Sequence, residues 1–393
     1  MMRIAYACLD PGVPLDGSKG ASVHVRAMIR ALAARGHAVA AVAARGEGRV
    51  PGAASIEIVG IGDARLAEAE RGLKRSRAGR EAIAGLADRA PIGAVYERLS
   101  LFSTGPGEAA RSVGVPHVLE VNAPLSEEAA RYRGLSGADA AAALRAESDA
   151  ISRADAVLAV SSALAEHAVA LGARPERVSV VPNAVDPEIF FPRPRPPRGK
   201  GSPFTVGFVG GLRPWHGLDV LADALGLAAR AGLAHWRACV VGDGPGRKPF
   251  AERVLGAGFP EASLELAGAV AHEDVPGYLA RFDAAVVPYA DLPGFYFSPL
   301  KLYEALAAGV PVAAAAAGDV PEALRHGAFG RLVAPGDPRA LFAALREIDL
   351  GPEAALASAA LAADAVRAER TWERNARAVE SAVAAASPRI GAP

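Results

Sequence analysis

The stretch Ser298-Pro-Leu-Lys-Leu-Tyr-Glu304, running on into Ala-Leu-Ala-Ala-Gly-Val-Pro-Val312, has the composition of a helix start that can receive a phosphate. Ser298 suits an N-cap, and Pro299 suits the first helical position. The opening amides of such a helix lack intrahelical partners, and the helix dipole makes that end locally positive, so a diphosphate fits there. Leu300 and Lys301 are the useful amide donors, because Pro299 has no N–H. Lys301 adds a point charge, and Glu304, three residues on, shares its helix face. On spacing alone the same residues read equally well as an ordinary capped helix with a surface Lys–Glu pair. The helix stops at Gly309, and Val310-Pro-Val-Ala begins a buried strand.

Such a helix needs a strand that delivers it to a ligand. Short apolar runs alternate with amphipathic segments along the chain. Arg3–Cys8, Ala38–Ala43, Ala94–Tyr96, His117–Val121, Ala156–Val160 and Val178–Val181 read as buried strands, separated by helical stretches such as Ala21–Arg35 and Gly137–Arg153. This is the βα alternation of a parallel sheet covered on both faces. It breaks at Phe190–Pro203, a Pro/Arg/Gly run too stiff and polar for a core element. A second series follows at Phe204–Val209, Ala238–Val241, Leu264–Leu266, Ala284–Val287, Val310–Ala314 and Arg331–Val333. The expectation is an α/β chain of two doubly wound parallel-sheet domains, residues 1–188 and 204–368, with a linker at 189–203 and a C-terminal helical segment at 369–393. Ligands bind beyond the carboxyl ends of such strands, which places an interdomain cleft between the halves.

A chain of 393 residues is long enough for two domains. Its 43 basic and 43 acidic residues cancel, which argues against nucleic-acid binding, where affinity rests on a basic surplus. Cys8 and Cys239 sit in apolar, strand-like runs and read as buried thiols, not as a disulfide framework or a zinc site. No apolar run reaches the roughly 18 residues of a spanning helix, and the N-terminus enters a strand without a cleavable leader pattern. A soluble cytoplasmic protein is expected. Arg65, Arg71, Lys74, Arg75, Arg77 and Arg80 lie on one helical stretch and leave weak peripheral contact with the inner face of a membrane open, although Glu68, Glu70 and Glu81 dilute the charge and favour a solvated face. Gly12–Lys19 has Ser and Lys in the wrong order for a P-loop, and Gly242-Asp-Gly-Pro-Gly246 is not a dinucleotide fingerprint.

In this order the segments resemble the family-4 glycosyltransferases of group 1, which have the GT-B fold of two Rossmann-like domains. Gly17-Ser-Lys-Gly-Ala-Ser-Val-His-Val-Arg26 with Leu32–His37 is similar to the family's glycine-rich first loop and helix. Ala154–Ser162 and Val178-Ser-Val-Val-Pro-Asn-Ala-Val-Asp186 resemble the end of its first domain. Gly207–Gly217, Val241–Pro245, Gly318-Asp-Val-Pro-Glu322 and Ser298–Glu304 resemble its donor domain. The resemblance implies transfer of a sugar, with retention of configuration, from a nucleotide-diphosphate sugar of UDP or GDP type to a hydroxyl acceptor on a glycan, lipid or small molecule. It implies no bound metal and no cofactor beyond that substrate. It also implies a donor held mainly by the second half, an acceptor held mainly by the first, and a final helix, from Trp372 onward, that crosses back onto the first domain.

The chain departs from the family pattern at identifiable positions. The first of two glutamates usual in the donor domain falls on Tyr296, and the second on Glu304. A basic pair falls on Gly211 and His216, with Arg213 available to replace the missing arginine. A histidine usual after the fifth strand falls on Asn122. The expected donor-binding set is therefore Arg213, His216, Ser298, Leu300, Lys301 and Glu304. The cations and amides would stabilise the leaving diphosphate, and Glu304 would accept from the ribose diol. An unperturbed histidine titrates near about 6.5, so His216 would add charge only when protonated. The expected catalytic set is Gly20, whose loop lets backbone approach the reacting centre, with Arg98, Glu120 and Asn122 at strand ends of the first half. The neighbouring Glu97 belongs to the same cluster, which reads equally well as a structural ion pair. The changed positions keep two alternatives in play: a weak or inactive GT-B protein that binds sugar nucleotides, and a GT-B epimerase or hydrolase. The oligomeric state has no signature in the sequence.

Overall fold

The computed structural model describes residues 1–46, 49–60, 62, 65–194 and 201–386. It divides into two compact units, Met1–Pro182 with Trp372–Pro393, and Asn183–Thr371. Part of the expected linker, residues 195–200, lies outside the described residues.

The first unit holds, among the described residues, a seven-stranded sheet of β1 (Arg3–Cys8), β2 (Ala38–Ala43), β3 (Ala53–Ile58), β4 (Ala94–Arg98), β5 (His117–Val121), β6 (Ala156–Ala159) and β7 (Val178–Val180), in the order β3-β2-β1-β4-β5-β6-β7. Every pairing is parallel. Between the strands run α1 (Gly20–Ala34), α2 (Glu68–Arg89), α3 (Gly105–Val113), α4 (Leu125–Arg133), α5 (Gly137–Arg153) and α6 (Ser162–Ala170). Central strands are buried on both faces and read as apolar runs, as in Ala-Val-Ala-Ala-Val-Ala of β2. Strand β3 is an edge strand with one neighbour; its Ala-Ala-Ser-Ile-Glu-Ile is only partly buried, and no continuous apolar run announces it.

The second unit repeats the plan with six strands among the described residues: β8 (Phe204–Val209), β9 (Trp236–Val241), β10 (Leu264–Gly268), β11 (Ala284–Val287), β12 (Val312–Ala315) and β13 (Arg331–Val333), in the order β10-β9-β8-β11-β12-β13. Its helices are α7 (Leu218–Arg230), α8 (Arg247–Gly256), α9 (Val275–Leu279), α10 (Leu300–Ala307), α11 (Val320–Ala323), α12 (Pro338–Leu350) and α13 (Pro352–Glu369). Phe190, which composition had assigned to the linker, is 1% exposed in this unit's core. The last helix, α14 (Trp372–Ala386), returns to the first unit and packs on α1, β5 and β6.

Strand order reverses between β1 and β4 in one unit and between β8 and β11 in the other. At such switch points neighbouring loops leave the sheet in opposite directions and open a crevice at the carboxyl ends.

Candidate active site

At the switch point of the first unit a polar ladder crosses one face of the sheet. Register sets Cys8 beside Arg98 and Arg98 beside Glu120. Glu120 is 5% exposed and receives four donors. His24 Nε2 on α1 donates to Oε2 at 2.9 Å, and the Tyr96 hydroxyl donates to the same oxygen. Arg98 and the Asn122 amide donate to Oε1 at 3.2 and 2.5 Å. Burial alone would raise this carboxyl's pKa; the His24, Arg98 and Tyr96 interactions outweigh it and bring the value down to about 2. Burial and the Glu120 charge raise the Tyr96 pKa, so its phenol stays a donor. Tyr6 stacks on Tyr96 with centroids 4.7 Å apart, and Trp372 of α14 meets the His24 ring edge-on at 4.8 Å.

A carboxylate has about four acceptor positions, and Glu120 uses them all. It cannot serve as a base without surrendering a partner, so its chemistry is to orient. Arg98 spends one N–H on Glu120 and keeps others, and Asn122 spends its amide while its carbonyl stays available. Glu97 leaves the cluster, as strand alternation requires: on the opposite face it accepts from His117 Nε2 at 2.9 Å and from the Ser103 hydroxyl at 2.8 Å. Gly20 is the exposed first residue of α1, and Lys19 before it gives no side-chain cap. Arg26 steadies the preceding loop by donating to the Leu15 and Gly17 carbonyls at 2.8 and 2.6 Å.

At the switch point of the second unit the focus is Lys301. Its Nζ is buried and makes no hydrogen bond among the described residues. It lies 4.4 Å from the centroid of the Phe208 ring and 5.7 Å from that of Tyr289. Gly210, at φ 143°, passes over it; a Cβ there would stand 2.8 Å from the amine, so only glycine leaves room. Burial pushes the Lys301 pKa from 10.5 down to about 7, against a partial upward pull from Glu304. Beyond Tyr289 follow Phe295, Tyr296 and Phe297, with Phe295 edge-on to Tyr289 at 4.7 Å and Tyr296 4.4 Å from Phe297. Tyr296, at the position of the family's first glutamate, thus belongs to an aromatic wall.

Several expectations for this half change. Ser298 does not cap the helix: its Oγ accepts from the Asn183 backbone N–H at 2.9 Å, and the Asn183 side chain donates to its carbonyl at 2.6 Å. Pro299 takes the cap position, Leu302 bonds back to its carbonyl, and the amides of Leu300 and Lys301 are left as the orphan donors. Glu304 is 7% exposed and pairs with neither Lys301 nor Arg325; it accepts from His272 Nε2 at 2.7 Å. His216 donates through Nδ1 to the Gly211 carbonyl, and burial together with the Lys301 charge lowers its pKa to about 3. It is neutral at ordinary pH and supplies no cation. Arg213 is exposed just before the Pro214–His216 turn.

The fold gathers Arg98, Glu120 and Asn122 in one unit, and His216, Leu300, Lys301 and Glu304 in the other. His24, Tyr96 and His272 were missed, because each reaches its carboxylate from another element. The basic stretch of α2 is broken up: Arg75 is 7% exposed, Lys74 pairs with Glu70 at 3.1 Å and Arg80 with Glu108 at 3.4 Å. No helix among the described residues is long and apolar enough to cross a membrane.

Comparison with known proteins gives this geometry a family. A model described as Glycosyltransferase Family 4 matches residues 18–189, and one described as Glycosyl transferases group 1 matches residues 203–348. One covers the Glu120 cluster and the other the Lys301 cluster. The chain belongs to the group 1, family 4 glycosyltransferases. The glycosyltransferase is 28% identical over 279 residues to a 2-deoxystreptamine glucosyltransferase of Streptomyces kanamyceticus, a match covering 67% of each chain. It is 34% identical over 208 residues to a D-inositol 3-phosphate glycosyltransferase of Thermobispora bispora, over 50% of this chain and 47% of that one. The matched segments therefore span two thirds of the first relative's length and about half of the second's. The solved structure of Anabaena Alr3699/HepE in complex with UDP and glucose shares the fold of the glycosyltransferase, with a TM-score of 0.72 at 20% identity, covering 97% of this chain and 100% of that one.

Proposed function

We propose that the protein transfers a glycosyl group from a nucleotide-diphosphate sugar to a hydroxyl acceptor, with retention of configuration and without a metal ion. The observation that carries this reading is the buried, unpartnered amine of Lys301 beside the orphan amides of Leu300 and Lys301, at the switch point of the second unit. Orphan amides at a helix start and a buried amine on the same turn are what a diphosphate leaving group requires. In the proposed step the bond from C1 to the phosphate oxygen breaks, a bond from C1 to the acceptor oxygen forms on the same face, and the acceptor's proton passes to the departing diphosphate. Arg213, exposed nearby, adds charge; neutral His216 offers a hydrogen bond. Glu304 keeps one oxygen on His272 and offers the other to the ribose diol. UDP is the proposed nucleotide, supported by the UDP complex of the structural neighbour.

Arg98 and Asn122, held by Glu120, are proposed to bind acceptor hydroxyls, with the Gly20 amide at the start of α1. The names of the two relatives point to a polyhydroxylated ring as acceptor. Incubation with UDP-, GDP- and ADP-glucose, with and without 2-deoxystreptamine or inositol phosphate, tests the reading. Product that requires acceptor supports transfer. Turnover without acceptor, or nucleotide binding without turnover under any pairing, overturns it.

A further inference from the structure

A buried ammonium ordinarily has a carboxylate or a ring of carbonyls around it. Lys301 has neither. On its own helix the nearest acid is Glu304, and that carboxylate is engaged by His272 at 2.7 Å. From the turn at 214–216 come Arg213, of like charge, and His216, neutral through its bond to the Gly211 carbonyl. From the end of β8 come the Phe208 ring and the Gly210 backbone, and from beyond β11 the ring of Tyr289, whose buried hydroxyl has a raised pKa and stays protonated. The ring faces attract a cation only weakly compared with the water that burial has removed.

We propose that Lys301 is uncharged in the empty site above neutral pH and takes up one proton as the nucleotide diphosphate binds, so that donor binding is coupled to protonation of this amine. The proposal rests on the assignment of the α10 start to the donor diphosphate. The proton passes from solvent to the Nζ lone pair, no covalent bond between heavy atoms changes, and the proton returns to solvent when the nucleotide leaves. The amine's lowered pKa, about 7, agrees with this reading. The cost of burying a charge is thereby met only while an anion is present to offset it.

The lysines of the chain are Lys19, Lys74, Lys200, Lys248 and Lys301, few enough for each to be followed by lysine-selective 13Cε labelling, with Lys301→Met to assign the signal. The Lys301 signal is expected to titrate near pH 7 in the free protein and to take its protonated position when UDP-glucose is added. UDP-glucose has no group of its own that titrates near pH 7. Calorimetry in two buffers of different ionisation enthalpy should count close to one proton taken up at about pH 8.5 and close to none at about pH 6, with Kd rising roughly tenfold per pH unit above about 7. The uptake should vanish in Lys301→Met and persist in His216→Asn and in His272→Asn, which remove the other nearby proton acceptors. A Lys301 signal that titrates near 10.5, or binding without proton uptake, overturns the proposal and leaves the donor assignment standing. Failure of UDP-, GDP- and ADP-glucose to bind at any pH overturns the donor assignment and this proposal with it.

Discussion

Glu120 and Lys301 are both buried where the strand order of their units reverses, and the two are treated in opposite ways. Glu120 is met by four donors and its pKa falls to about 2; Lys301 is met by no acceptor among the described residues and its pKa falls to about 7. In the first case the fold provides everything the charge needs, so the carboxylate is part of the frame and fixes Arg98, Asn122 and His24 around it. In the second the fold withholds partners, and an orphaned buried donor is costly until something outside the chain supplies the acceptor. The same topology thus holds one buried group whose partners are all in the fold and one whose amine has no partner among the described residues.

The sharpest way to break this contrast is Glu120→Ala, expected to cost about 3–5 kcal/mol in denaturant unfolding because it strands Arg98 and His24. The pKa of Glu120 is depressed on folding, so its contribution is fully present above about 4.5 and is lost as pH falls toward about 2. The variant should therefore lose most of the wild type's pH dependence in that window; an unchanged acid profile would remove Glu120 from the frame. Lys301→Met should do the reverse. We expect kcat/KM to fall by about 10² to 10³, roughly 3–4 kcal/mol of transition-state stabilisation, while the unliganded protein becomes more stable at pH 7. That gain should shrink toward pH 10.5, because a lysine with a lowered pKa destabilises the fold most below its folded value, about 7, and ceases to do so above its unfolded one, 10.5. A less stable Lys301→Met protein at neutral pH would erase the distinction between the two units.

Smaller effects sharpen the second half-site. Glu304→Ala should lower activity at least tenfold, about 1.4 kcal/mol, and a near-normal rate would exclude it from the ribose. Asn183→Ala removes the side-chain hydrogen bond to the Ser298 carbonyl, leaves the backbone one to its hydroxyl, and should cost about 1 kcal/mol in thermal unfolding, with a parallel rise in donor KM. His216→Asn should change the rate by only about threefold and leave the pH profile between about 5.5 and 8 unaltered; a lost acidic limb would mean that His216 titrates after all.

Much of the fold was legible because buried parallel strands must be apolar on both faces, and the βα rhythm follows. Strand β3 escaped because its Ala-Ala-Ser-Ile-Glu-Ile is only partly buried and interrupts its apolar residues with Ser55 and Glu57. The candidate site was legible only where its residues are local: Leu300, Lys301 and Glu304 are near neighbours on one helix. It was illegible where partners come from afar. His24 lies 96 residues before Glu120, and His272 lies 32 before Glu304. The role of Ser298 was misjudged because a hydroxyl before a helix suits a cap or any nearby donor equally well, and the donor that claimed it, Asn183, is 115 residues away. His216 looked cationic by residue type, and only its burial and the proximity of Lys301 make it neutral.

The return of α14 to the first unit has a consequence for biosynthesis. A ribosome delivers Met1–Pro182 first, yet α1, β5 and β6 do not acquire their last covering helix until Trp372 and the residues after it emerge. By then all of Asn183–Thr371 has been made and can already have folded. The N-terminal unit is therefore finished after Asn183–Thr371 has been made, and until then it exposes the apolar seam that Trp372, Ala376, Val379 and Val383 bury in the folded unit. Release of a chain truncated after Thr371 would make that unfinished condition permanent.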